Sequence, residues 1–284
     1  MIAVTGATGN LGRDVVRLLL KRVAASEVIA IVRNVGKAQG LAALGVTVRE
    51  ADYSKPETLT RAFVGAEKVL LISSSEIGQR TSQHKAVVDA AKKAGVELLV
   101  YTSILAADTT PLVLAVEHSA TEAYIRTSGI PFVILRNGWY QENHTAGLAF
   151  AIQHGALLGA AGNGRFAAAA RADYAEAAVV VLTENGHVRK LYELGGDAPY
   201  TLTEFAAEVS RQTGKTILYH DLPQEKYAEA LAGFGLPETI AQAVADADAG
   251  AAKGALDITS RELSKLLGRP TTSLSAAIGS ALKV

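Results

Sequence analysis

Three glycines near the start of the chain have the spacing of a phosphate-binding turn. Gly6, Gly9 and Gly12 follow the apolar run 2–4 and precede the amphipathic stretch 14–21. The first glycine permits the backbone angles of a tight turn, the second leaves room for a pyrophosphate, and the third lets a helix pack closely on a strand. The N–H groups and positive dipole end of that helix would hold the anion. The pattern therefore predicts a dinucleotide site.

The second residue with an evident chemical use is Arg33. It follows the apolar run Val28–Val32, which predicts a buried strand. An acidic residue at this place would hydrogen-bond the ribose 2′-hydroxyl of NAD, whereas a guanidinium forms charge-assisted bonds to the 2′-phosphate of NADP. A solvated arginine at a strand end is the alternative. Because Arg33 accompanies the glycine turn, we favour NADPH as the cofactor.

The composition argues against several other kinds of chemistry. The 284 residues include no cysteine, which removes thiolate nucleophiles, disulfides and cysteine-ligated metals. No two of the six histidines have helical spacing, so we expect no metal site. Lys plus Arg and Asp plus Glu each number 28 without a basic block, which argues against nucleic acid as a partner. With no visible leader or membrane-spanning run, we expect a cytoplasmic protein without membrane contact.

Alternating strand and helix patterns must position these residues. The sequence predicts strands at 2–4, 28–32, 46–49, 68–72, 98–102 and 131–136, and helices at 14–21, 37–44, 56–63 (with Ser54 as its N-cap), 83–94 and 117–127. Such alternation implies right-handed crossovers and a parallel sheet covered on both faces. Ligands then lie beyond the carboxyl ends of the strands, which makes the residues there site candidates: 6–11, Arg33, 73–76, 102–103 and 137–140.

The pattern changes after about Asn137. Helical stretches dominate at 172–182 and 202–212, with strand candidates at 190–194 and 216–220 and Gly- and Ala-rich loops at 155–164 and 246–254. We predict an α/β protein with a Rossmann-type doubly wound parallel sheet and a smaller, mainly helical C-terminal lobe. Residues 1–136, with part of 165–185, would form the NADP-binding domain. Residues 137–284 would form the smaller lobe that lines a substrate cleft.

These segments give the chain a family resemblance. It resembles the NmrA-like group of atypical short-chain dehydrogenases over nearly its whole length, above all the bacterial NADPH-dependent quinone reductases of that group. The matching segments are 5–12, Arg33, 72–76, 78–80, 136–140, 171–174 and 266–272. The resemblance implies these cofactor-binding residues: Gly6, Ala7, Thr8, Gly9, Asn10, Leu11, Arg33, Ser73, Ser74, Ser75, Asn137, Gly138, Trp139, Tyr140, Gln141, Glu142 and Arg171.

One motif of ordinary short-chain dehydrogenases is missing. Those enzymes use Tyr-x-x-x-Lys, in which the tyrosine protonates the carbonyl oxygen, but none of the nine tyrosines here has a lysine four residues later. Reducing a ketone generates an alkoxide-like oxygen that strongly needs an acid. A reduced quinone oxygen is phenolate-like, with a pKa of about 10 as for tyrosine, and can take its proton from water. The missing pair therefore favours hydride transfer to quinones or similar flat electrophiles.

Four residues are catalytic candidates at the substrate end. Tyr140 and Asn143 could bracket a flat substrate. Ser103 occupies the place where the family's substrate-facing serine often lies, and His118 could donate a hydrogen bond to a quinone oxygen. For both Ser103 and His118, as for His84, an ordinary structural hydrogen bond is the alternative.

Two other functions remain open at this point. A redox sensor that binds NADP(H) without turnover would share the glycine turn and would equally dispense with the tyrosine–lysine pair. A promiscuous carbonyl reductase would act on simple ketones at rates that rival those with quinones. The expected partner is a small quinone-like substrate, and a homodimer stays open as the oligomeric state.

Overall fold

Nine strands form two sheets in residues 1–283, the part of the chain that the computed structural model describes. The strands are β1 (Ile2–Val4), β2 (Val28–Val32), β3 (Thr47–Glu50), β4 (Lys68–Leu71), β5 (Leu98–Ile104), β6 (Phe132–Asn137), β7 (Ala156–Gly159), β8 (Leu191–Leu194) and β9 (Leu218–Asp221). Seven of them form one sheet in the order β3-β2-β1-β4-β5-β6-β8, and β7 pairs with β9 in parallel.

Thirteen α-helices accompany these strands in the described residues. They are α1 (Asn10–Leu19), α2 (Gln39–Ala42), α3 (Pro56–Ala62), α4 (Arg80–Lys93), α5 (Ala115–Thr127), α6 (Gln141–Thr145), α7 (Leu148–His154), α8 (Arg171–Thr183), α9 (Leu202–Thr213), α10 (Gln224–Gly233), α11 (Glu238–Ala251), α12 (Glu262–Leu267) and α13 (Leu274–Ala281). None of the helices in residues 1–283 combines the length and the apolar character needed to cross a membrane.

The order of the strands determines where a ligand can bind. From β3 to β6 every neighbouring pair is parallel. The chain moves outward from β1 to β2 and β3, then returns to the other side of β1 with β4, so the direction of winding reverses at β1. In open parallel sheets the ligand crevice lies at this reversal, beyond the carboxyl ends of the strands. The predicted α/β fold with a doubly wound, mostly parallel sheet is confirmed.

Burial explains why these segments are strands. All five residues of β2 are buried, as are the three residues of β1, because helices cover both faces of the sheet. The largest side chains in the associated core are aromatic: Phe63 and Tyr101 are fully buried.

Three predictions for the C-terminal half were wrong. The loop predicted at 155–164 contains β7, which pairs with β9. The strand predicted at 190–194 for the smaller lobe is β8, the seventh strand of the main sheet. The predicted loop at 246–254 is helical as far as Ala251, because alanine is the best helix former and Ala247 and Ala251 are buried on one helix.

Two predictions for the N-terminal half also need correction. Instead of one helix at 37–44, a 3₁₀ turn (Val35–Ala38) precedes the short helix α2, since glycines at 36 and 40 weaken a longer helix. The N-cap of α3 is Lys55 and not Ser54. The Ser54 N–H instead donates to the Asp52 carboxylate at 2.9 Å, in a short turn before the helix.

The chain forms two compact units, each built from several stretches. The first consists of residues 1–107, 116–137 and 172–192 and contains β1–β6. The second consists of residues 108–115, 138–171 and the chain from Glu193 onward, and it contains the two-stranded sheet. The domain boundary suggested after residue 136 stays a prediction.

Candidate active site

The glycine turn lies between β1 and α1. Gly6 has a φ of +60°, a left-handed conformation that side-chain-bearing residues rarely adopt. Gly9 is the N-cap of α1 and has no side chain to cap the first N–H groups of the helix. A Cβ on Gly12 would lie 2.3 Å from the Gly6 carbonyl oxygen, so only glycine allows this approach of helix and turn. The result is an open helix N-terminus of the kind that binds pyrophosphate.

A cavity of about 550 Å³ adjoins this turn in the first unit, at the carboxyl ends of β1, β2, β3 and β4. Its volume falls in the usual range for cofactor sites. Seven of the residues implied by the resemblance line it: Gly6, Thr8, Gly9, Arg33, Ser73, Ser74 and Ser75. Ala7 in the turn and Leu11 in the first turn of α1 are buried, and Asn10 is exposed and accepts a hydrogen bond from Arg13.

Arg33 lies at the exposed end of this cavity. Its Nη1 donates to the Glu76 carboxylate at 2.5 Å, and 64% of the Arg33 side chain is exposed. Gln83 donates to the other Glu76 oxygen at 2.7 Å, which fixes the carboxylate. Arg13 and Lys37 also line the cavity. Three cationic side chains therefore line the cavity, which suits a phosphate group.

Sequence reasoning missed several lining residues, including Arg13, Lys37, Asp52 and Tyr53. Asp52 follows β3, so the rule that located the other strand ends would also have found it. The Tyr53 hydroxyl lies 2.5 Å from Thr5 Oγ1 and 2.9 Å from the Ile72 carbonyl oxygen, which ties this ring to the ends of β1 and β4. Burial raises the pKa of Tyr53, so the hydroxyl stays protonated at neutral pH.

The serine loop, residues 73–76, follows β4, and side chains of β5 and α4 form hydrogen bonds with its backbone. The Ser73 N–H donates to Thr102 Oγ1 at 2.9 Å, and the Ser74 N–H donates to His84 Nε2 at 2.9 Å. Arg80 Nε donates to the Ser74 carbonyl oxygen at 2.6 Å. Burial lowers the pKa of His84 to about 3, so this ring is neutral at physiological pH. His84 therefore acts here as a hydrogen-bond acceptor.

Ser103 lies on β5 in a buried ionic cluster. Its hydroxyl donates to Glu122 at 2.6 Å, and Arg136 donates to both oxygens of the same carboxylate, at 2.9 and 2.7 Å. Ser103, Glu122 and Arg136 are each less than 5% exposed. A paired guanidinium and hydroxyl satisfy the buried charge of Glu122.

His118 lies on α5 beside Tyr101. Its Nδ1 is 2.7 Å from the Tyr101 hydroxyl, and both residues are buried. Burial lowers the pKa of His118 to about 3 and raises the pKa of Tyr101. His118 is therefore neutral near pH 7 and cannot serve as an imidazolium acid there.

The remaining implied residues, except Asn137 at the end of β6, lie in the second unit. Arg171 opens α8, and its N–H donates to both oxygens of Glu142, at 3.0 and 2.9 Å. The Arg171 guanidinium lies 5.3 Å from the centre of the Tyr140 ring, a cation–π contact. Gln141 is buried, and its amide donates to the Thr272 carbonyl oxygen at 3.1 Å.

Two other residues of this set, Gly138 and Trp139, are half-buried. The catalytic candidate Asn143 is exposed. The structure thus groups one set of implied residues around the cavity of the first unit and a second set around Tyr140 and Arg171. As binding and catalytic assignments they stay predictions.

The parallel sheet, the glycine turn and the cationic cavity define a Rossmann-type dinucleotide-binding protein. A family model described as "NmrA-like family" matches residues 1–273. The chain belongs to the NmrA-like family, which confirms the resemblance.

Known proteins similar to this chain extend the comparison. The chain is 54% identical to quinone oxidoreductase 2 of Escherichia coli (strain K12), over 98% of this chain and 97% of that protein. The crystal structure of the E. coli NADPH-dependent enzyme in complex with NADPH matches with a TM-score of 0.96 and 53% identity, covering 99% of this chain and all of that one. Triphenylmethane reductase from Citrobacter sp., complexed with NADP(H), matches with a TM-score of 0.95 and 41% identity over 99% and 100% of the two chains.

Proposed function

We propose that this chain is an NADPH-dependent quinone oxidoreductase, which transfers a hydride to a quinone or similar flat electrophile in a two-electron reduction. The observation that supports it most is that the glycine turn and Arg33 line the same cavity. The relative from E. coli, 54% identical, is called a quinone oxidoreductase, and its structure contains NADPH.

The lining residues fit NADPH. The turn at Gly6 and Gly9 and the uncapped end of α1 suit the pyrophosphate, since a helix N-terminus binds anions. Arg33, with Arg13 and Lys37 in the lining of the same cavity, suits the 2′-phosphate. When bound, NADPH supplies the hydride. The chain's own part is to hold the cofactor and the acceptor at a distance and angle that permit transfer.

The nicotinamide end of the cofactor is the part that we assign to the residues around Tyr140 and Arg171. We propose that 137–142 and Arg171 bind this part of the cofactor, and that Tyr140 and Asn143 position the acceptor. The Arg171 guanidinium contacts the Tyr140 ring through the cation–π interaction, and Glu142 holds the Arg171 backbone N–H. A ring fixed in this way can pack against a flat substrate at little cost in side-chain entropy.

Proton delivery does not depend on a dedicated acid in this proposal. Ser103 already donates its proton to Glu122, and His118 is neutral and bonded to Tyr101. No Tyr-x-x-x-Lys pair is present. A phenolate-like product oxygen, with a pKa of about 10, can take its proton from water. Quinones are therefore better substrates for this site than simple ketones.

Triphenylmethane dyes are a second candidate substrate class. The 41% identical Citrobacter protein is a triphenylmethane reductase. The coloured dye is a carbocation, and a hydride adds to its central carbon to give a neutral product without any proton. This chemistry suits a site with no free acid equally well.

The test is turnover. Purified protein is mixed with NADPH and benzoquinone, then with a triphenylmethane dye and with a simple ketone, and the loss of NADPH absorbance is followed. We expect fast oxidation with the quinone and little with the ketone. Tight NADPH binding without oxidation by any acceptor would refute the enzymatic proposal and favour a redox sensor.

A further inference from the structure

The backbone N–H and the backbone carbonyl of Ser74 both form hydrogen bonds with side chains of one helix, α4. His84 accepts a hydrogen bond from the Ser74 N–H, and Arg80 donates to the Ser74 carbonyl oxygen. Arg80 and His84 are four residues apart on α4, so they lie on the same face of the helix. The Ser74 hydroxyl completes the arrangement by accepting from the Glu76 N–H at 3.1 Å. Every polar group of Ser74 is thus engaged by the protein.

The proton on His84 is fixed by its neighbours. Because Nε2 accepts from a backbone N–H, the ring proton is on Nδ1, which lies 3.0 Å from Thr121 Oγ1. The Thr121 hydroxyl in turn donates to the Glu117 carbonyl oxygen at 2.8 Å. This chain of hydrogen bonds from α5 keeps His84 in the tautomer that can accept from Ser74.

The start of α4 is also held by hydrogen bonds with α5. The Glu117 carboxylate on α5 accepts from the Gly78 N–H at 2.9 Å and from the Thr81 N–H at 3.3 Å, which caps the helix from another element. The face of α4 that holds Ser74 is therefore fixed relative to the sheet, and so is the serine loop that lines the cavity.

Burial of the Arg80 guanidinium costs folding free energy. It is 8% exposed, and burial lowers its pKa. Among residues 1–283, no group forms a hydrogen bond with its Nη1, which is buried. A buried cation with an unsatisfied N–H destabilises the folded chain. A gain in stability therefore does not explain why an arginine occupies this position and bonds to Ser74.

We propose that Arg80 and His84 are positioning residues for NADPH: they hold the two peptide groups on either side of the Ser74 Cα, and with them the serine loop, in place against the cofactor. The inference rests on the proposed cofactor site, in which residues 73–75 line the cavity. His84 then acts through its acceptor nitrogen and supplies no proton to the substrate. Arg80 improves cofactor affinity at the expense of the stability of the fold.

The test measures NADPH affinity and thermal stability in the same variants. Arg80→Met removes the donor to Ser74 together with the unsatisfied buried nitrogen, and His84→Leu removes the acceptor. We expect each to weaken NADPH binding about ten- to a hundredfold in a fluorescence titration. His84→Gln restores an acceptor at the place of Nε2, so its affinity should stay within about threefold of the original protein.

Ser128→Ala is the matched control. Its buried hydroxyl also accepts from a loop N–H, that of Ile130 at 3.2 Å, but it lies between α5 and the start of β6, at the opposite end of that strand from the site. We expect it to lower Tm without changing the Kd for NADPH. For Arg80→Met we expect the reverse, a weaker Kd with Tm unchanged or higher.

The proposal is overturned if Arg80→Met and His84→Leu bind NADPH as tightly as the original protein. It is also overturned if His84→Gln binds as weakly as His84→Leu, or if affinity falls only in proportion to Tm across all variants. Because binding is measured without an acceptor, a protein that fails to reduce quinones but shows this pattern would refute the proposed reaction and leave the positioning role intact.

Discussion

Replacement of Arg33 by alanine tests how the cavity distinguishes NADPH from NADH. A hydrogen bond to a charged group contributes about 1.5–3 kcal/mol. The side chain is 64% exposed, which favours the lower end of that range. Arg33 is already paired with Glu76, and an exposed pair of this kind is worth about 0–1 kcal/mol. Loss of that pair therefore changes the binding free energy of NADPH little. We therefore expect Arg33→Ala to weaken NADPH binding by about 1.5 kcal/mol, roughly tenfold.

The assay is a fluorescence titration with NADPH and, separately, with NADH. NADH has no 2′-phosphate, so its Kd should be nearly unchanged in Arg33→Ala. Arg33→Lys is the matched control: it keeps the charge but loses the planar fork, and its loss of NADPH affinity should be smaller. Equal losses for NADPH and NADH would refute the reasoning, because Arg33 would then not contact the 2′-phosphate.

Three further predictions concern the turn, the acceptor site and a buried carboxyl group. Gly12→Ala should abolish the binding of both cofactors and lower Tm, because the new Cβ would lie 2.3 Å from the Gly6 carbonyl oxygen; unchanged binding by calorimetry would contradict it. Tyr140→Ala should raise the KM for quinone strongly, whereas His118→Ala should change kcat far less than the 100- to 10,000-fold that a positioned acid is worth, as steady-state kinetics can check. Burial raises the pKa of Asp248 from 3.8 to about 7. The folded state thus holds the Asp248 proton more tightly than the unfolded state does. The stability that this proton contributes is fully present below about pH 4 and is lost as the pH rises through 7. Asp248→Asn should therefore raise Tm at pH 8 more than at pH 5; equal shifts in thermal melts at the two pH values would contradict the buried proton.

The features that sequence reasoning captured are local ones. Gly6, Gly9 and Gly12 lie within one turn, and their conformations follow from their spacing alone. Arg33 follows a strand that consists of apolar residues only, so both the strand and its end could be predicted. The alternation of strands and helices was sufficient for the fold class, because crossover chirality leaves few topologies.

The features that it missed depend on contacts between distant segments. The hydrogen bond from the Ser74 N–H fixes the role of His84, and that contact depends on how α4 packs beneath the loop after β4. Ser103 on β5, Glu122 on α5 and Arg136 on β6 form one cluster. Their spacing along the sequence does not show that these three elements bring them together. Lys37 lines the cavity from a 3₁₀ turn after β2, where the sequence predicted a helix.

The most direct test of the proposed function is the rate of NADPH oxidation by purified protein with and without benzoquinone. We expect oxidation to depend on the quinone, to consume one NADPH for each quinone reduced, and to be much slower with NADH at equal concentration. A protein that binds NADPH but shows no quinone-dependent oxidation, or that uses NADH equally well, would refute the proposal that this cavity serves NADPH-dependent reduction of quinones.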